Sequence, residues 1–201
     1  WIVLIAYLMG LSIGVHILNL LTIPALVFIY YFRKSKTITW KGLIYATLVS
    51  GAILLVINGI IIPYTVYVGM LVDIWAVNSL GLPVNTGIVC FVLAMFAALG
   101  YAIYFTHKRG YRISNLILVC VTMIMLGFSS YASVTIRAAV NPPMNSNNPN
   151  NPAALLSVLN RDQYGNRPLI YGASYAAPIE SYTEKDVYNY NPATKSYDKL
   201  T

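Results

Sequence analysis

Residues 113–133 read ISNLILVCVTMIMLGFSSYAS, and residues 134–143 continue VTIRAAVNPP. The first stretch carries no charge and has the length that a bilayer core demands of a helix, about 20 residues. Lipid offers no hydrogen-bond partners, so a spanning segment must satisfy its own backbone, which a helix does. The second stretch puts Arg137 and then Asn141-Pro142-Pro143 where lipid gives way to water, and everything beyond is polar. A membrane helix that delivers the chain into a polar tail is the pattern from which the rest of the chain can be read.

Composition agrees with that pattern. Of 201 residues 58% are hydrophobic and 9% charged, with a mean hydropathy of +0.64. A water-soluble single domain would leave too much of this apolar surface wet. Charge is unevenly placed. Up to Ile136 there are seven basic residues (Arg33, Lys34, Lys36, Lys41, Lys108, Arg109, Arg112) and one acid, Asp73; from Arg137 onward there are six basic residues and five acids. The net charge of +7 is therefore a topology signal, confined to two short loops, and not the basic face of a nucleic-acid binder. Cys90 and Cys120 lie within apolar runs and read as small core residues, and no metal-ligand spacing occurs. The chain opens at Trp1 inside an apolar run, without methionine or a charged signal region, and reads as a piece of a longer protein.

The expected fold is an all-α polytopic helix bundle over residues 1–133, followed by a small mixed α/β segment over 134–201. Helices are expected at about 1–15, 20–32, 42–62, 87–105 and 113–133. The opening run 1–32 is too long for one upright helix and is interrupted by Gly10, Gly14, His16, Asn19 and Pro24. A turn around 16–19 divides it; a single tilted helix kinked at Pro24 is the alternative. The acid-free loops 33–41 and 107–112 should face the cytoplasm. Two crossings between them leave 63–86 outside, as a short helix in the interface plane with Tyr64, Tyr67 and Trp75 at headgroup level. The last span then carries 134–201 outward, into the periplasm if the cell is bacterial.

In the tail, the Asn/Pro-rich stretch 141–151 cannot continue a helix. Asn151-Pro152 is a helix start, cap followed by proline. Leu155, Leu156 and Leu159 share a face of a helix running to about Tyr164, with Gly165 as its stop. Residues 168–173 and 186–190 read as tyrosine-rich strands, with a turn at 191–194 leading into 196–198. Seven tyrosines between Tyr164 and Tyr197 indicate an ordered domain.

Four stretches together carry a resemblance: Gly10-Leu-Ser-Ile-Gly-Val-His16-Ile-Leu-Asn19, Asn78-Ser-Leu-Gly-Leu-Pro-Val-Asn85, Tyr131 to Pro143 with its Ile-Arg-Ala core, and Leu159-Asn-Arg-Asp-Gln-Tyr-Gly165. In this order they resemble a bacterial family of multi-pass membrane proteins long labelled a domain of unknown function. That family is grouped with the protein O-mannosyltransferase-like GT-C glycosyltransferases. The resemblance implies a transferase of the bacterial inner membrane that takes a sugar from a polyprenyl phosphate, with its site at the outer face. Its catalytic acid, an Asp or Glu of the first outer loop, would precede Trp1. The implied partners are membrane lipid, the lipid-linked sugar as donor and possible protein hydroxyls as acceptor, with no nucleic acid and no further cofactor evident.

Given that resemblance, Arg137 is the candidate for the donor phosphate, which a guanidinium can grip bidentately and stabilise as it leaves. The competing reading is an arginine reaching for lipid headgroups at a helix end. His16 and Asn19 are polar within an apolar run and either line a cavity or hydrogen-bond locally. Asp73, the sole carboxylate before the tail, is a candidate second acid or else the polar side of an interfacial helix. Asn141, Arg161, Gln163 and Tyr164 could line the site, with a rigid loop and a solvated helix end as their plainer readings. Two other functions compete: a transporter or flippase, which would need polar groups on broken helices near mid-membrane, and a non-catalytic anchor whose outer tyrosines bind glycan.

Overall fold

The computed structural model describes residues 1–165, Gly172 and 187–200. Helices dominate: α1 (Ile2–Val15), α2 (Thr22–Lys34), α3 (Trp40–Leu55), α4 (Ile62–Leu80), α5 (Thr86–Lys108), α6 (Arg112–Phe128), α7 (Ala132–Ala139) and α8 (Pro152–Asn160). Two antiparallel strands follow, β1 (Val187–Asn191) and β2 (Ser196–Leu200). Among the described residues, three continuous helices are long and apolar enough to cross a membrane: Trp40–Leu80, Thr86–Lys108 and Arg112–Ala139. The chain divides into two compact units, Trp1–Thr65 with Val92–Val134, and Val66–Phe91 with Thr135–Thr201.

In the first unit the opening run is broken where its polar residues fall. A 3-10 turn, Ile17–Leu21, separates α1 from α2. Pro24 sits in the first turn of α2, where a missing N–H costs nothing, so it does not act as a mid-helix kink. Helix α1 packs on α6 at close range. A Cβ on Gly10 would overlap the Ile124 carbonyl, and one on Gly127 would press on the Tyr7 carbonyl and the Leu11 amide. Small residues at such crossings let backbones approach, and van der Waals contact then supplies the association that the hydrophobic effect cannot supply in lipid. Helices α2 and α3 form a hairpin in which the Tyr31 hydroxyl accepts the Thr39 N–H at 3.2 Å, while Thr39 Oγ1 caps α3 through the Gly42 N–H, also at 3.2 Å.

The expected boundary near Pro63 is not a break in the helix. A π-helical turn, Val56–Ile61, joins α3 to α4, with the Ile62 N–H reaching back to the Ile57 carbonyl. The widened turn accommodates the proline ring and its missing donor, so 41 residues run as one helix instead of turning into a separate interfacial segment. Trp75 is nevertheless exposed, as are Tyr64 and Tyr67.

In the second unit Met70 and Val77 of α4, Ala153 of α8 and Tyr197 of β2 form the core, with Ile74, Leu156, Tyr188 and Tyr190 packed against it. Asn151 caps α8, its Oδ1 accepting the Ala154 N–H at 3.0 Å, with Pro152 next. The helix stops earlier than expected. It ends at Asn160 because Arg161 takes up left-handed backbone, φ 60°, and a short 3-10 turn, Asp162–Tyr164, completes the way to Gly165. The hairpin pairs Tyr190 with Tyr197 and Asn189 with Asp198. Its turn is held by the Asn191 side chain, which accepts the Ala193 N–H at 3.0 Å. The strand expected at 168–173 lies outside the described residues, Gly172 excepted.

Candidate functional site

Asp73 is the best-organised polar group of the second unit. The sequence offers it as a second acid or as the polar side of an interfacial helix, yet it is fully buried, at 0% exposure. Its environment comes from elements far apart in sequence. Oδ1 accepts the Gly87 N–H at 2.8 Å and the Ile88 N–H at 3.3 Å. Oδ2 accepts the Asn85 N–H at 3.1 Å and the Tyr197 hydroxyl at 2.8 Å. The first two donors belong to the opening turn of α5, whose N–H groups have no partner within their own helix, and a negative charge there also suits the helix dipole. Asp73 therefore caps α5 from the neighbouring helix. Gly87 permits this, because a Cβ there would strike the backbone of Asp73 and the Val72 carbonyl.

Tyr197 completes the cluster and ties the hairpin down. The Asn78 side chain bonds both backbone groups of Tyr197: Oδ1 accepts its N–H at 2.8 Å and Nδ2 donates to its carbonyl at 3.0 Å. An amide used this way imitates the next strand of a sheet, which leaves the Tyr190–Tyr197 pair as the close, non-hydrogen-bonded kind, its rings edge to face at 5.4 Å. Burial first, and then the hydrogen bond to and charge of Asp73, push the Tyr197 phenol far above the usual tyrosine range. Four donors fill the four acceptor positions of a carboxylate, so Asp73 is a structural anchor with no lone pair left for a substrate.

Arg137 lies exposed in the last turn of α7, and among the described residues nothing pairs with its guanidinium. Beyond it the amides shape the chain. Asn141, at φ 50°, takes the left-handed backbone that ends α7, and its N–H bonds the Ala138 carbonyl at 3.1 Å. Asn145 Nδ2 donates to the same carbonyl at 3.1 Å and to Asn148 Oδ1 at 2.8 Å. Arg161 stacks over the Tyr164 ring at 5.2 Å, and Gln163 and Tyr164 are exposed beside it. Among the described residues of this unit, two buried polar atoms, Asn85 Oδ1 and Thr135 Oγ1, have no partner.

In the first unit the two candidates are spent on local structure. His16 Nδ1 accepts the Leu18 N–H at 3.2 Å and so caps the 3-10 turn. Asn19 Nδ2 donates to the Ser12 carbonyl at 3.2 Å, across the turn. A cleft of about 480 Å³ opens where α5 gives way to α6, walled by Val3, His107, Tyr111, Arg112, Leu116 and Val119 among others. None of the candidate site residues named from the sequence lines it. Among the described residues no group of three His, Cys, Asp or Glu lies close enough to hold a metal.

One comparison bears on identity. Residues 1–39 match the profile of the protein O-mannosyl-transferase TMEM260 N-terminal domain. The match covers α1, the 3-10 turn, α2 and the basic loop before α3, and it includes the Gly10–Asn19 stretch. Covering 39 of 201 residues, it gives weak support to an O-mannosyltransferase-like relationship and is consistent with a glycosyltransferase-like membrane protein. Comparisons with curated proteins and with solved structures give no significant match.

Proposed function

We propose that this chain is part of a GT-C membrane glycosyltransferase, which moves a sugar from a polyprenyl phosphate to an acceptor hydroxyl on the non-cytoplasmic face of a bacterial inner membrane. The observation that carries this reading is the match of residues 1–39 to an O-mannosyl-transferase domain in a chain whose described residues include three helices long and apolar enough to cross a membrane. In the reaction the acceptor oxygen attacks the anomeric carbon, the bond from that carbon to the phosphate oxygen breaks, and polyprenyl phosphate leaves with the electron pair. The acceptor proton goes to a carboxylate, which in GT-C enzymes belongs to the first outer loop. Asp73, with four hydrogen bonds already accepted, is not proposed as that base. Arg137 is suited to the leaving phosphate, being cationic, exposed and unpaired among the described residues.

The test is Arg137→Ala and Arg137→Lys in the full-length protein, assayed for sugar transfer from a polyprenyl-phosphate donor. Removing a preorganised charge stabiliser costs about 100-fold or more in turnover, and lysine should restore only part, since it lacks the planar fork. Unchanged transfer by a folded, membrane-inserted Arg137→Ala protein would refute the role. His16 and Asn19, the polar residues that favoured a transporter, each make a local bond, one a cap and one across the turn.

A further inference from the structure

The cleft between α5 and α6 has a composition that specifies a ligand class. Its lining combines apolar side chains, Val3 of α1 and Leu116 and Val119 of α6, with His107, Tyr111 and Arg112. Its volume, about 480 Å³, falls within the range of small-ligand sites. Asn115 stiffens it by donating through Nδ2 to the Ile103 carbonyl at 2.8 Å and to Thr106 Oγ1 at 3.0 Å, which pins α6 to the end of α5. Arg109 is held to one side over the Phe105 ring at 5.2 Å.

Charge supplies the second argument. The unit made of Trp1–Thr65 and Val92–Val134 contains seven lysines and arginines and no Asp or Glu. Arg112, with Lys108 and Arg109 nearby in sequence, therefore has no carboxylate within its own unit to neutralise it. An anion bound here would come from outside this unit and would lie against apolar side chains. A phosphate head carrying hydrocarbon chains satisfies both conditions, and basic pockets between membrane helices hold such heads.

We propose that this cleft is a binding site for an anionic phospholipid, with the phosphate at Arg112 and His107 and the upper acyl chains along Val3, Leu116 and Val119. It is separate from the transfer chemistry above and would stand if that reading failed. A lipid here would brace the α5–α6 turn against α1.

The experiment uses the full-length protein in nanodiscs and counts retained lipid by native mass spectrometry. Phosphatidylglycerol should be retained about tenfold or more over phosphatidylcholine, and Arg112→Gln should lose about tenfold, the scale of one charge-assisted hydrogen bond. Leu116→Trp fills the cleft without altering charge and should abolish retention; Leu116 is 43% exposed, so the larger ring has room. Lys34→Gln with Lys36→Gln removes charge from the other basic loop and should leave retention unchanged. Equal retention of the two lipids would overturn the proposal. So would unchanged retention in Leu116→Trp, or an equal loss in the Lys34 and Lys36 variant, which would reduce the effect to diffuse surface charge. Displacement of the lipid by excess inorganic phosphate would assign the site to free phosphate and overturn its lipid identity.

Discussion

Tyr197 and Asp73 show how much a single pair of side chains can decide in a small unit. Asp73 has three amide donors and one hydroxyl. Tyr197→Phe removes only the hydroxyl and should cost about 1–3 kcal/mol, the worth of one hydrogen bond to a buried charge. Asp73→Asn keeps the shape but turns an NH2 group toward N–H donors; it leaves a buried N–H unpaired, at about 1–3 kcal/mol for each such group, and also removes the charge that the remaining donors meet, so it should cost more than Tyr197→Phe. Thermal unfolding of the purified protein, with amide exchange followed over 187–200, should rank the two in that order. The tyrosine also sets a pH dependence. Its phenol is harder to ionise folded than unfolded, so above the ordinary tyrosine pKa of about 10 the unfolded state has fewer protons than the native one. Stability of this contact is then fully present below that value and falls as the medium becomes more alkaline. Tyr197→Phe should lack that share of the alkaline loss; identical profiles for the two proteins would show that the hydroxyl is not engaged.

At the scale of elements, legibility followed the range of the causes. Asn151-Pro152 announced α8 because a cap and an N-terminal proline act within one turn, and the Asn151–Ala154 bond is there. The Ile17–Leu21 turn was readable because polar and glycine residues interrupt an apolar run. The end of α8 was not, since left-handed backbone at Arg161 has no composition signature comparable to that of Gly165. Continuity through Pro63 was hidden for a similar reason, because a π-helical turn spreads the missing hydrogen bond over several residues. The role of Asp73 was least legible of all. Its sequence neighbours are apolar, and its donors lie 12 to 124 residues away, where no periodicity points. Glycines make a sharper forecast. Gly10→Leu would drive α1 off α6 and should cost about 1–3 kcal/mol or more, whereas Gly51→Ala, with open space at its Cβ, should be neutral or stabilising by up to about 1 kcal/mol. Melting temperatures of the two variants in one detergent distinguish close packing from simple glycine replacement.

For the whole molecule, the proposed topology can be checked directly. With Cys90 and Cys120 replaced by alanine, Ser35→Cys and Asn147→Cys should react with an impermeant thiol reagent from opposite sides of the membrane, Ser35→Cys only after the cytoplasmic side is opened. Labelling of Asn147→Cys only after the cytoplasmic side is opened would remove Arg137 from the face where a lipid-linked sugar is proposed to react. The long reach from Asp73 to Tyr197 also has a history in time. The two are separated by 124 residues, which at about 5–20 residues per second is roughly 6–25 s of translation. During that interval the acid leaves the ribosome, and its helices enter the bilayer, before the phenol that completes its shell exists. A nascent chain stopped short of β2 would thus insert normally yet carry an interior acid one donor short.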